Sequence, residues 1–226
     1  MNISSIPELG VKQRVSREYR HSYKLFDDLI FHNTNDRTRC LQYAQNRRDN
    51  CILFHGPYGT GKSAAAKILV NEREQGVGYQ GVQIIPATSL DKESISKIRM
   101  DFNFQRSCLG VRMPVAIIDE IDHAPRAIQY DLRWEIDERP EFGCFIFTTN
   151  RLDIVEAGLR DRSMKIEMPS ANMNQWRGRA RWILDQEGVT ISDTKLDELL
   201  ATNDGSIRDL LRMLEDLVMS QLKLVA

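Results

Sequence analysis

The chain has 226 residues, enough for one α/β domain and a smaller appended domain. Hydrophobic residues at 42% and charged residues at 28% exclude wholesale disorder. With 31 basic against 32 acidic side chains, overall charge gives no nucleic-acid signal, although local basic faces stay open. The four cysteines (Cys40, Cys51, Cys108 and Cys144) lack metal-ligand spacing. No apolar run approaches the ~20 residues of a membrane span, and no charged-then-apolar leader opens the sequence, so a reduced cytoplasmic or nucleoid-associated protein with no membrane contact is expected.

Residues 1–14, with Ser4, Ser5, Pro7 and Gly10, read as a loose N-terminal arm. Residues 15–30 mix charge with Tyr19, Tyr23 and Phe26, and polar–apolar spacing predicts a helix over 38–46. Apolar runs at 51–55, 82–87, 115–118 and 144–148 predict buried strands, with 164–168 a fifth. Helical spacing over 62–74, 92–104 and 127–138 alternates with them. Strands apolar at every position are covered on both faces, which predicts a parallel sheet flanked by helices. After Pro169 the pattern changes to helices over 172–187, 193–202 and 206–223 with no strand between them. The expected organisation is an α/β domain over 15–168 and a small all-helical domain over 169–226.

Gly56-Pro57-Tyr58-Gly59-Thr60-Gly61-Lys62-Ser63 fits G-x-x-x-x-G-K-[ST], with a strand before it and Ala64, Ala65 and Ala66 opening a helix behind it. The glycines let the backbone turn its N–H groups onto phosphate oxygens, and the helix N-terminus adds partial positive charge. Lys62 suits the β- and γ-phosphates and the Ser63 hydroxyl suits magnesium, so the expected ligand is ATP with Mg2+.

The predicted strand over 115–118 ends in Asp119 and Glu120. Asp119 is expected beside the phosphate loop, holding magnesium directly or through water. Glu120 is expected to orient the attacking water and accept its proton, and Asp122 to tune the local charge. The next strand ends in Asn150, which either contacts the γ-phosphate and the water or caps a turn before Arg151.

Phosphate loop, Asp-Glu strand end, strand-terminal Asn and a helical C-terminal domain together resemble the AAA+ ATPases, and among them clamp-loader subunits. The resemblance implies a P-loop NTPase fold with a five-stranded parallel sheet followed by a helical lid. Val15, Tyr19 and Arg20, with 26–30, are similar to the element those subunits place against adenine. Ile118-Asp119-Glu120-Ile121-Asp122 and Phe147-Thr148-Thr149-Asn150 match the acidic motif and the element called sensor 1. Asp161-Arg162-Ser163 resembles the segment that supplies an arginine finger to a neighbouring subunit, with Arg162 as the finger and Arg160 as its competitor. Arg208 resembles sensor 2, reaching the γ-phosphate or else forming a lid–core ion pair. His21 stands where the family's opening motif has proline, the finger segment reads D-R-S rather than S-R-C, and the sequence given ends at Ala226, where clamp-loader subunits continue into a helical collar.

The implied activity is ATP hydrolysis at interfaces between AAA+ subunits, in a homo- or hetero-oligomer with Arg162 acting in trans, coupled to DNA and to loading of a sliding clamp. A helicase loader or transposition regulator oligomerising on DNA is a second reading, and a protein remodeller without DNA a third. The polar stretch from Ser89 to Ser94 speaks against that third reading, since a remodeller carries an aromatic pore loop there; a scaffold that never hydrolyses is a further reading. Lys97, Arg99 and Arg106 are candidate DNA phosphate contacts. Trp176 and Trp182, flanking Arg177, Arg179 and Arg181, are either core packing or a stacking surface.

Overall fold

The computed structural model describes residues 26–74, 83–170 and 172–225. Helix α1, Thr34–Ala44, starts where the Asn33 side chain accepts the Asp36 N–H at 2.8 Å, four residues ahead of its expected start at 38. Then follow β1 (Cys51–His55), α2 (Lys62–Glu74), β2 (Gln83–Pro86) and α3 (Lys92–Leu109). Helix α3 outlasts its expected end at 104 because termination falls to Gly110, left-handed at φ 68°, whose N–H returns to Gln105 O. The rest of the sheet comprises β3 (Val115–Asp119), α4 (Arg126–Glu138), β4 (Cys144–Thr149), the short α5 (Ala157–Asp161) and β5 (Ser163–Glu167). Helix α5 escaped the sequence reading, because one turn shows no periodicity; the Glu156 carboxylate caps it by accepting the Leu159 N–H at 2.7 Å.

The five strands form one sheet in the order β2-β3-β4-β1-β5, and every pair is parallel; β2, expected to be buried, is instead half-buried to exposed, because it is an edge strand with a neighbour on one side only. Ile52, Leu53, Ile117, Ile118, Ile146 and Phe147 are fully buried, as the unbroken apolar runs require of strands covered on both sides. Each such side chain contributes about 1.5–3 kcal/mol by leaving water. Ala65, Ala66 and Leu69 of α2 and Leu132 of α4 are equally buried. Because all strands run the same way, their carboxyl ends share one edge, where ligands of open α/β sheets bind.

The described residues divide into two compact units: 26–172 with 204–207, and 173–203 with 208–225. The second unit carries α6 (Met173–Gln186), α7 (Asp193–Ala201) and nearly all of α8 (Ile207–Val225). Trp176, Ala180, Leu184, Leu196, Leu200, Leu210, Leu214 and Val218 are among its buried residues. Trp182 is 45% exposed, with the Arg179 guanidinium 4.5 Å from its ring centroid. No helix among the described residues is long and apolar enough to cross a membrane.

Candidate active site at the carboxyl edge of the sheet

Strand β1 delivers the chain at His55 into a loop that reverses tightly before α2. Gly56, Gly59 and Gly61 all have positive φ, at 142°, 76° and 88°. Space excludes side chains as firmly as conformation does. A Cβ at Gly56 would stand 2.1 Å from Met168 O, and one at Gly59 would stand 2.3 Å from Ser206 Oγ. Thr60 closes the loop by donating to Pro57 O at 3.0 Å. Lys62 is buried, and its ammonium donates to Gly56 O at 2.9 Å and Pro57 O at 2.5 Å. The cation is therefore held against the loop's own backbone. Tyr58 is exposed, and Ala64 lies half-buried in the first turn of α2.

Strand order sets the carboxylates beside this loop. Strand β4 lies between β3 and β1, with Ile118 level with Phe147 and Phe54 level with Thr148. Asp119 Oδ1 accepts Ser63 Oγ–H at 2.7 Å and Thr148 Oγ1–H at 2.6 Å. The same Thr148 oxygen accepts the Glu120 N–H at 2.9 Å. Thr148 had no role assigned from sequence, since nothing local marks a strand threonine as the bridge between two others.

Glu120 is left-handed at φ 57° and ψ 51°, a conformation costing a non-glycine residue roughly 1–2 kcal/mol. Its carboxylate is half exposed. Asp122 is fully buried and accepts Thr149 Oγ1–H at 2.8 Å, with Arg151 Nε 3.4 Å from its other oxygen. Asn150 is half-buried and follows Thr149, which pairs with His55 one residue before the loop. Lys62, Ser63, Asp119, Glu120 and Asn150 thus meet at one edge.

The expected finger lies away from this edge. Arg162 precedes Ser163, which pairs with Cys51 at the start of β1. The phosphate loop follows the other end of that strand, roughly 16 Å away at about 3.3 Å per residue. Arg162 is ion-paired with Asp137 and donates to Gly158 O at 3.1 Å. Arg160 is half-buried just before it. Beside them a shallow cleft of about 410 Å³ gathers Arg39, Arg48, Arg162 and Lys165. Arg208 belongs to the second unit. Val15, Tyr19 and Arg20 lie outside the described residues. Of the candidate DNA contacts, Lys97 is exposed and Arg106 lies over the Phe142 ring, 5.6 Å from its centroid. Arg99 differs from expectation: it is paired with the buried Glu135 carboxylate, which ties α3 to α4.

The site fits magnesium ATP. The positive-φ glycines give the loop the tight backbone that turns amides toward phosphates, and a hydroxyl and a carboxylate on a single hydrogen bond are oxygen donors of the kind magnesium takes.

A model of the family described as "ATPase family associated with various cellular activities (AAA)" matches residues 52–170. Replication factor C subunit 4 of Caenorhabditis elegans is 25% identical over 194 residues, covering 82% of this chain and 57% of that protein. DNA polymerase III subunit tau of Bacillus subtilis is 27% identical over 203 residues, covering 80% of this chain and 36% of that one. The chain spans about half the length of the curated relatives it matches. Among solved structures, the RuvB Holliday junction branch migration motor of Thermotoga maritima aligns with a TM-score of 0.67 at 17% identity, covering 90% of this chain and 72% of that one. At that identity the likeness concerns the fold.

Proposed function

The chain belongs to the AAA ATPase family, and from that premise we propose that it binds and hydrolyses ATP at interfaces between subunits in order to remodel a DNA-bound assembly, by loading a sliding clamp. The observation that carries the hydrolytic part is the linkage of Ser63, Asp119, Thr148 and the Glu120 amide beside the glycine loop. Lys62 moves from the loop carbonyls to the β- and γ-phosphates. Ser63 and Asp119 hold magnesium, which when bound neutralises charge on the phosphate oxygens. Glu120 takes a proton from the attacking water while Asn150 orients that water. Arg162, far along the sheet from its own loop, serves a neighbour's site, where a cation stabilises charge on the transferring phosphoryl group.

The clamp-loading part is supported by the replication factor C and tau relatives, which match over most of this chain. ATPase activity measured alone, with primed DNA, with long duplex DNA, and with primed DNA plus a sliding clamp tests it. Stimulation by primed DNA and clamp together is the expected result. Stimulation by long duplex alone favours an oligomer on DNA, and no response to any DNA would sink both readings.

A further inference from the structure

Glu120 leaves β3 on a left-handed turn with its carboxylate 48% exposed. A long side chain in that setting samples several rotamers unless a neighbour restrains it. His123 is within reach. The turn Ile121–His123 is closed by the His123 N–H donating to Glu120 O at 2.8 Å, and this brings Nδ1 to 3.3 Å from Glu120 Oε2. The other ring nitrogen, Nε2, stands 3.8 Å from Asp122 Oδ2.

An exposed pair three residues apart contributes little by itself. Here the far side of the ring meets a group that cannot move. Asp122 is fully buried, accepts the Thr149 hydroxyl and lies beside Arg151, while Thr149 also accepts the Arg151 N–H at 3.0 Å. The His123 ring therefore stands between the Glu120 and Asp122 carboxylates, at 3.3 and 3.8 Å, and Asp122 in turn is hydrogen-bonded to Thr149 at the end of β4. Neither the catalytic roles above nor the phosphate loop uses His123.

We infer that His123 is a positioning residue that holds the Glu120 carboxylate in its working orientation, with Asp122 referring that orientation to the end of β4. The inference rests on the proposed role of Glu120 as the base. Loosening the carboxylate should slow the chemical step without touching the phosphate contacts.

The test compares ATP turnover and affinity for a fluorescent ATP analogue in the full chain carrying His123→Ala, His123→Asn or Glu120→Gln. His123→Ala should lower kcat about ten-fold or more while leaving KM and analogue affinity unchanged. His123→Asn, which retains a donor near the Nδ1 position, should recover most of the loss. A wild-type kcat in His123→Ala overturns the inference. So does equal loss in both variants with weakened analogue binding or a lowered melting temperature, which would mark a structural role. Turnover surviving Glu120→Gln removes the base itself, whereas an inactive Glu120→Gln beside a fully active His123→Ala removes only the positioning role.

Discussion

Thr148 donates its hydroxyl to Asp119 Oδ1 at 2.6 Å and accepts the Glu120 N–H at 2.9 Å, so one buried side chain on β4 orients both acidic residues at the end of β3. Thr148→Val keeps the shape and removes both bonds, leaving the part-buried Glu120 N–H without this acceptor. The expected cost is about 1–3 kcal/mol in denaturant melts, together with a fall in ATP turnover. Thr148→Ser should retain most of both properties.

Two glycines make an opposed pair. Gly56→Ala places a Cβ 2.1 Å from Met168 O at φ 142°, so the backbone itself must shift. ATP binding by calorimetry should fall below detection. Gly178, inside α6, has open space around its Cβ position. Gly178→Ala should leave ATP binding intact and raise stability by about 0.5–1 kcal/mol through helix propensity.

Arg162 is held by Asp137 far along the sheet from the loop of its own chain. Arg162→Ala should abolish turnover while sparing ATP affinity. Mixing that variant with Lys62→Ala chains should restore part of the activity, because each mixed interface can combine one intact loop with one intact finger. Failure to restore it at every mixing ratio would exclude action in trans. Asp137→Ala should retain turnover, since that carboxylate only parks the guanidinium.

Glu156 predicts a pH dependence. Burial pushes its carboxyl up, but the Gly158 and Leu159 N–H groups and the Arg133 and Arg126 guanidiniums outweigh that and hold it below the ordinary 4.5. A depressed folded value means that the ionised group stabilises the fold above the unfolded pKa and loses that contribution as pH falls through the folded one. Glu156→Gln should therefore melt at lower temperature than wild type at pH 7, with the gap closing as pH falls below about 4.

Cysteine reactivity tests the core. Burial pushes the Cys40 and Cys51 thiols up to about 12 and raises Cys144 as well, while Cys108 is exposed. A thiol reagent at pH 8 should modify one site rapidly in the native protein and all four in denaturant.

Much of the sheet was legible because β1, β3 and β4 are nearly continuous apolar runs and each long helix has an amphipathic period. The ends were less so. Helix α3 ran on through Gln105 to its glycine cap, since capping outweighs a fading apolar pattern. Helix α5 is too short for any period to show. Arg99 looked like a surface cation because spacing along α3 cannot reveal that Glu135 lies opposite on α4.

The phosphate loop and the acidic strand end are contiguous, so their residue types and spacing sufficed to read a triphosphate site from the sequence alone. The loop demands glycine, lysine and a hydroxyl in a fixed order, and that order is chemistry written along the chain. The tertiary structure decided what joins these pieces. Strands β3, β4 and β1 are neighbours in space although 55, 115 and 149 lie far apart in sequence. Nothing in three similar apolar runs says which pairs with which. Pairing and register together bring Thr148 between Asp119 and Glu120, set Asp122 under Thr149, and put Arg162 at the opposite edge, because adjacent parallel strands carry their residues to a common level whatever their distance along the chain.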